Sequence, residues 1–243
     1  MADFEEFDQQ GSVPARDMGS IISHAFEMYK GVFLYAILAM VIYFLASWLI
    51  QLVSGFDSMS FAEEMQSGGG YGNVDFWAVP GLTTYYGLSS LLGLFIAPLF
   101  VGLIYIINKY NNKEQIQVGD LFIGYRQNLL NIIIYTLIYD IVIAISAMLC
   151  VVPLFFVFPL FLLGYPILLF ENANAIDAVK KSFEIAKENY GTFLGAGLLG
   201  ALISISGIIA CCIGIIATAF FLVAVMYSLY VAFVGKPKPL IEN

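Results

Sequence analysis

The sequence predicts an all-α, polytopic membrane protein in which six transmembrane helices form three hairpins. Of its 243 residues, 60% are hydrophobic and only 12% are charged, and the mean hydropathy is +0.88. Soluble domains carry roughly twice that share of charge, so much of this apolar surface must face lipid. The ten basic residues fall into four clusters separated by apolar intervals. The clusters are Arg16 and Lys30; Lys109, Lys113 and Arg126; Lys180, Lys181 and Lys187; and Lys236 and Lys238.

Each apolar interval is long enough to cross a bilayer twice, because one crossing takes about 20 residues. The intervals are 31–108, 127–179 and 188–235. Loops rich in Lys and Arg stay in the cytoplasm, so the four clusters predict that both termini are cytoplasmic. The predicted spans are 31–55, 87–107, 129–150, 154–170, 192–214 and 215–234.

The segments around the spans predict a single membrane domain, 16–238, with short flanking pieces. Residues 1–15 are acidic near their start and lack the basic beginning and apolar run of a signal peptide, which predicts a disordered tail. Residues 239–243 are expected to form a cytoplasmic tail. Residues 56–84 are Gly-rich and acidic with no basic residue, and they are expected to form the one sizeable external loop.

A repeated pattern precedes each odd-numbered span: a phenylalanine is followed four residues later by a base. The pairs are Phe26 with Lys30, Phe122 with Arg126, and Phe183 with Lys187. Apolar residues at helical spacing surround each pair and predict three amphipathic helices, which Asp17, Asp120 and Asp177 would cap. In one interpretation these helices lie in the membrane plane as interfacial anchors, with the base at lipid phosphate. In the other they pack on one another as a cytoplasmic collar.

Asp140 lies near the middle of the third predicted span, and no Lys or Arg falls within a span to pair with it. A carboxylate at that depth costs about 3 kcal/mol even on the most lenient insertion scale. In the structural interpretation it is protonated and joins helices by hydrogen bonds to hydroxyls such as those of Tyr135, Tyr139, Thr136 and Ser146. In the functional interpretation it is a proton or cation site.

No metal or cofactor site is predicted, because one histidine is too few for histidine-rich metal chemistry. That histidine, His24, is expected on the polar side of the first in-plane helix. The three cysteines, Cys150, Cys211 and Cys212, fall near the external ends of the third and fifth spans. A disulfide between Cys150 and Cys211 and buried free thiols are both compatible with these positions.

Small residues line the start of the fifth span. The glycines from Gly195 to Gly200 match the dinucleotide-binding fingerprint letter for letter, but they begin a membrane span and follow no strand. Gly191, Gly195 and Gly200 are therefore expected to allow close helix packing, either within the chain or between chains.

Several stretches resemble a known family. They are Arg16–Lys30, Pro166–Glu171, Ala175–Lys187 and Tyr190–Leu194. They resemble uncharacterised bacterial six-span proteins related to the membrane domain of glycerophosphodiester phosphodiesterases, and the likeness covers most of the chain. It implies a protein of the bacterial inner membrane. The phosphodiesterases carry their activity on a separate soluble domain that has no counterpart in this sequence, so the resemblance does not imply that activity.

The expected function is that of a non-catalytic scaffold or accessory subunit of a membrane complex. No catalytic Ser-His or Cys-His arrangement, phosphate-binding loop or metalloprotease motif occurs in the sequence. The alternative is a small transporter or channel that uses Asp140, and a lipid-binding role is a third interpretation. The expected partners are the lipid bilayer and other proteins or copies that dock on small-residue faces. Nucleic acid is excluded as a partner by the net charge of −8.

Overall fold

The computed structural model describes residues 11–67, 78–149, 152–209 and 211–237, and within these ranges all regular structure is helical. Short 3-10 turns occur at Val118–Phe122 and Phe158–Phe161. The α-helices are α1 (Met18–Ser54), α2 (Ser58–Ser67), α3 (Leu82–Asn111), α4 (Ile123–Arg126), α5 (Leu129–Met148), α6 (Val152–Val157), α7 (Gly164–Phe170), α8 (Ala175–Glu188), α9 (Tyr190–Ser206), α10 (Cys211–Thr218) and α11 (Phe221–Phe233).

Five described helical segments are long and apolar enough to cross a membrane. A sixth is obtained if α8 and α9, which are bent by 106° at a short break, are counted as one span. The prediction of an all-helical chain is therefore confirmed for the described residues, and their five or six candidate spans are consistent with a multi-pass membrane protein. The five are Met18–Ser54, Leu82–Asn111, Leu129–Met148, Pro153–Phe170 and Gly214–Phe233.

The chain divides into two compact units. The small unit is Val41–Ile96, and the main unit is Met1–Met40 with Ala97–Asn243. Helices α1 and α3 contribute to both units, because each helix continues across the boundary between them.

In the small unit, the segment predicted as an external loop contains helix α2. Asp57 caps this helix: its carboxylate accepts from the Met59 amide at 3.0 Å and from the Ser60 hydroxyl at 2.6 Å. The hydrogen bonds from Ser60 hold the pKa of Asp57 below its usual range. Acidic side chains at a helix start satisfy the free amides of the first turn, so this part of the predicted loop is structured. Residues 68–77 of that loop lie outside the described residues.

In the main unit, the first predicted in-plane helix is not separate from the first span. Helix α1 runs without a break for 37 residues, which corresponds to about 55 Å. The residues from Met18 to Ser54 include no proline, and Gly31, the point where the prediction divides them, instead packs against the ring of Tyr110. The prediction of a short helix here was wrong because nothing in the sequence interrupts α1. Asp17 does cap it, by accepting from the Ser20 amide at 3.0 Å.

The second predicted amphipathic helix is replaced by a 3-10 turn followed by the single turn α4. Asp120 binds Lys109 at 3.0 Å, and the backbone of Leu121 closely approaches Gly102 of α3. Asn128, with φ of 56°, then separates α4 from α5. Because this short segment lies against α3, it lacks the length and free face of an amphipathic α-helix.

The third predicted amphipathic helix is a separate element, α8. Asn174 caps it by accepting from the Asp177 amide at 2.9 Å, so Asp177 occupies the third helical position and is not the cap. Since α1, α4 and α8 differ in length and form, the three sequence repeats do not fold as three equivalent units.

The chain turns earlier in the fifth predicted span than expected, because α9 ends at Ser206 and the span was placed at 192–214. Gly207 makes this turn possible, since a side chain there would meet the Gly214 carbonyl. The Thr218 hydroxyl closes the turn by donating to the Ser204 carbonyl at 2.8 Å. Helix α11 then packs along α9, with the Phe193 and Phe233 rings 5.0 Å apart.

Candidate functional site

The fourth apolar segment, which comprises α6, the Phe158–Phe161 turn and α7, is broken near its middle. The Tyr135 hydroxyl of α5 donates to the Phe161 carbonyl at 2.6 Å. The Ser182 hydroxyl of α8 donates to the Leu160 carbonyl at 2.6 Å and accepts from the Leu163 amide at 3.2 Å. Broken helices persist in apolar surroundings only if such freed backbone groups are satisfied. Two neighbouring helices therefore stabilise the break.

Helix α8 lies alongside this broken segment and runs antiparallel to it. The Ala175 amide, at the start of α8, donates to Asn131 of α5 at 3.2 Å. Ser182 in its middle reaches Leu160, and Tyr190 just beyond its end donates to the Phe156 carbonyl at 3.3 Å. The face that packs inward carries only small side chains, which allow a close approach. They are Ala175, Ala178, Ser182 and Ala186, all buried.

The outward side of α8 has an apolar strip beside a charged one. Ile176 and Phe183, seven residues apart on one side of the helix, are 52% and 45% exposed. Lys180 and Lys187 are exposed and lie three and four residues from Phe183, so they flank the apolar strip. The acids lie beyond them on the wheel, at Asp177, Glu184 and Glu188. A basic margin around an apolar strip is typical of helices that rest on a lipid surface.

All six residues predicted as interfacial anchors lie at the surface. Phe26, Phe122 and Phe183 are 41%, 37% and 45% exposed, and Lys30, Arg126 and Lys187 are exposed as well. Phe26 also packs against Phe221, with the ring centroids 4.5 Å apart. The three pairs are therefore available to lipid or to a partner, although the backbone around each pair differs.

The junction between α7 and α8 is held by an ion pair. Lys181 donates to both carboxylate oxygens of Glu171, at 2.8 and 2.6 Å, and the Tyr230 hydroxyl lies 3.3 Å from Glu171. Asn128 donates to the carbonyls of Leu168 and Ala173 on either side of the junction, at 3.0 and 2.8 Å. These bonds account for the polar residues here as structural groups that fix the direction of α8.

A buried polar cluster, which the sequence did not predict, joins the N-terminal segment to three helices. His24, only 6% exposed, lies between the hydroxyls of Ser228 at 2.8 Å and Ser12 at 3.1 Å. Asn111 binds the Ser12 backbone and donates to the Tyr227 hydroxyl at 2.9 Å. The expectation that His24 lies on a polar face was wrong.

A signal for this burial was present in the sequence. His24 follows Ile21 by three residues and precedes Met28 by four, which places it on the apolar stripe of α1. The contact with Asn111 also shows that Ser12, within the segment 1–15 that was predicted to be a disordered tail, has a defined position. Residues 1–10 lie outside the described part of the chain.

Asp140 lies on the exposed surface of α5, twelve residues into that helix. Three of the four hydroxyls expected to bind it have other acceptors, and Tyr139 is the exception: Tyr135 binds Phe161, and Ser146 donates to the Val142 carbonyl at 2.7 Å. Thr136 donates to its own helix backbone at 2.8 Å. Among the described residues, no hydrogen bond or ion pair to the Asp140 carboxylate is found. Within those residues Asp140 makes no hydrogen bond that joins helices, and its structural and functional interpretations both stay predictions.

The predicted packing glycines differ in their surroundings. Gly200 lies against Val225 and Leu222 of α11, and Gly195 lies against Met18, so both permit contacts within the chain. Gly191 faces open space. Cys150 and the side chain of Cys211 lie outside the described residues, and the disulfide between them stays a prediction. No group of His, Cys, Asp and Glu suited to a metal ion occurs in the part of the chain that is described.

Comparison with known proteins gives no relative on which to base a function. No family model, no curated protein and no solved structure matches the chain. The functional interpretation therefore rests on the geometry of this chain.

Replacing Tyr227 by Phe tests the buried cluster. The change removes the hydroxyl that donates to Asn108 at 3.0 Å and accepts from Asn111, so buried amide atoms lose a partner. We expect the free energy of unfolding to fall by about 1–3 kcal/mol. The thermal unfolding midpoint of the purified protein in mild detergent is the measurement. Tyr86→Phe is the matched control, because Tyr86 is 60% exposed, and equal midpoints for the two variants would contradict the assignment.

Proposed function

We propose that the protein is a multi-pass protein of the bacterial inner membrane that acts as a non-catalytic scaffold or accessory subunit of a membrane complex. One observation carries the proposal: the polar groups inside the molecule bind one another, whereas the unusual surface residues lie on outward helix faces. Among the described residues, every buried side-chain nitrogen and oxygen has a hydrogen-bond partner. The interior polar groups therefore stabilise the fold, and the outer faces of α5 and α8 are available to bind lipid or another protein.

The environment of the single histidine supports a role without catalysis. A general base must reach a substrate proton within hydrogen-bond distance. Both ring nitrogens of His24 are instead occupied by the hydroxyls of Ser12 and Ser228, and the ring stacks against Tyr227 at 6.2 Å. His24 therefore acts as a structural link between the N-terminal segment, α1 and α11.

The outer side of α8 supports membrane anchoring by this helix. An apolar strip of Ile176 and Phe183 that is exposed in water loses contact with water if it sinks into the acyl boundary. Lys180 and Lys187 then meet lipid phosphate, while the acidic strip remains in water. The bases at Lys30 and Arg126 complete a cytoplasmic surface, and cytoplasmic termini follow from the distribution of basic residues.

Fluorescence quenching tests whether α8 lies at the lipid surface. The reporter is Phe183→Trp in a background where both native tryptophans, Trp48 and Trp77, are changed to Phe. In liposomes, we expect a quencher near the lipid headgroup to reduce the emission more than a quencher near the chain end, because an in-plane helix is shallow. Ile141→Trp, in the exposed face of α5, is the matched control and should favour the deep quencher.

The cytoplasmic-collar interpretation gives the opposite result for the same reporter. If Phe183 faced protein or water, neither quencher would reduce the emission of the tryptophan at this position. That outcome, together with deep quenching at position 141, would exclude α8 as a lipid anchor.

Electrophoresis of native complexes tests the scaffold role. The tagged chain, expressed at native level in a bacterium that carries the gene, is solubilised with a gentle detergent and compared with the same chain made in a foreign host. We expect a discrete complex that is larger in the native membrane only, because an accessory subunit needs its partners. Equal migration from both membranes would refute the scaffold proposal.

Transport through Asp140 is the second candidate function. The observation that favours it is the break in the fourth segment next to α5, because discontinuous helices often form ion and substrate sites in transporters. The measurement is proton-coupled flux in liposomes that enclose a pH dye, with wild-type protein or Asp140→Asn. Flux by the wild type that is lost in a folded Asp140→Asn variant would establish transport, and its absence in both would favour the scaffold.

A further inference from the structure

The surface of α5 presents one carboxylate within an otherwise apolar face. Asp140 is exposed, and its neighbours Leu137 and Ile141 are 45% and 50% exposed. Farther along the same side, Ile145 and Met148 are 54% and 84% exposed. An apolar helical face of this extent, on a segment that qualifies as a membrane span, is suited to lipid or to another membrane helix.

Lipid alone does not satisfy the carboxylate on this face. Ionisable groups within membrane helices almost always face a bundle interior or pair with another group. Asp140 has no hydrogen bond or ion pair among the described residues, and the nearest bases along the chain are Arg126 and Lys180. Within the described part of the chain nothing satisfies this carboxylate, and a group on another molecule would do so.

Charge complementarity identifies the kind of molecule. A second copy would bring the same carboxylate to a symmetric contact, and the interval 127–179 contains no base that could compensate for it. A membrane helix with a Lys or Arg at mid-depth would neutralise the charge and donate hydrogen bonds to both carboxylate oxygens. The partner is thus a different chain with a basic group inside the bilayer.

The shape of α5 beside Asp140 fits a helical partner. Ala144 and Ala147 lie four and seven residues after Asp140, on the same side of the helix, and both are exposed. Small residues at this spacing let two helix backbones approach closely, so a partner helix could lie along them with its base opposite Asp140. The larger side chains of Ile141 and Met148 border this line on one side.

We propose that the Asp140 face of α5 is the docking site for a transmembrane helix of a partner protein that carries one Lys or Arg at the depth of Asp140. This inference rests on the proposed accessory role and names its partner by chemistry. The ion pair would make binding at Asp140 specific, because most membrane helices carry no basic residue that could pair with this carboxylate.

The test uses the purified full chain in phosphatidylcholine liposomes, with a donor dye on a C-terminal tag. The probes are two acceptor-labelled Leu/Ala peptides of about 20 residues, one with a central Lys and one with a central Leu. We expect the Lys peptide to associate with the wild type about threefold to tenfold more strongly than the Leu peptide, measured by energy transfer. In the Asp140→Asn variant, binding of the Lys peptide should fall to the level of the Leu peptide. The Asp140→Glu variant should still bind the Lys peptide more strongly than the Leu peptide.

The control variant is Asp177→Asn, which makes the same charge change on the exposed acidic strip of α8. It should leave the preference for the Lys peptide intact, and a loss equal to that of Asp140→Asn would overturn the proposal in favour of general surface attraction. Because Asp140 is exposed and unbonded among the described residues, its variants are expected to keep the wild-type thermal midpoint. Equal binding of both peptides to the wild type would refute the docking site.

Two further outcomes separate this inference from others. Energy transfer between donor- and acceptor-labelled copies of the chain, lost in Asp140→Asn, would assign the face to a second copy and overturn the proposal. If a native complex exists but neither peptide binds preferentially, the accessory role stands and the docking site fails. If the Lys peptide binds but no native complex exists, the docking chemistry stands and the accessory role fails.

Discussion

The need to satisfy backbone polar groups at helix breaks is the constraint on which the main unit depends. In apolar surroundings each unpaired amide or carbonyl costs several kcal/mol, so a broken helix requires donors and acceptors from its neighbours. Ser182 and Tyr135 supply them where the fourth apolar segment breaks, and Asn128 supplies them where that segment leads into α8. Each donor lies outside the segment whose break it serves. The breaks therefore position α5, α8 and the fourth segment relative to one another, and the direction of α8 follows from hydrogen bonds rather than from a flexible linker.

This use of polar side chains has a consequence for function. Residues that could bind a proton or a substrate elsewhere, such as Tyr135, Ser182 and His24, are occupied by structural partners. The side chains that can bind another molecule are therefore the outward ones. On α8 these are a Lys-bordered apolar strip, and on α5 the carboxylate of Asp140. Both are suited to binding a neighbour in or on the membrane, and this is the basis of the proposed interaction role.

The sequence predicts the class of this fold and the position of its apolar helices, because hydropathy and the distribution of bases act over windows of about 20 residues.

The prediction from sequence fails where the local structure depends on a single residue. The prediction divides α1 at Gly31, yet a lone glycine with no proline nearby does not end a helix that is packed on both sides of it. It also assigns His24 to a polar face, because a polar residue is assumed to be exposed, whereas two serines outside its own helix satisfy it. A contact such as that between His24 and Ser228, about 200 positions apart, leaves no local pattern in the sequence. The surface position of the six anchor residues was predictable, because it depends only on local spacing.

The three Phe-and-base pairs show what such a repeat encodes. Around Phe26 the chain is a continuous long helix, around Phe122 it is a 3-10 turn and a single helical turn, and around Phe183 it is an independent helix. The backbone is thus not repeated, but in every case both the aromatic ring and the base are at the surface.

The residues just beyond each base account for the difference in backbone. Helix α1 continues through Gly31, α4 ends where Gln127 adopts an extended backbone, and α9 turns by 106° from α8 beyond Asn189. Because the Phe-and-base pattern occurs with three different backbone conformations, helix formation alone does not explain it. The proposed lipid interface would impose the surface position that all three places share.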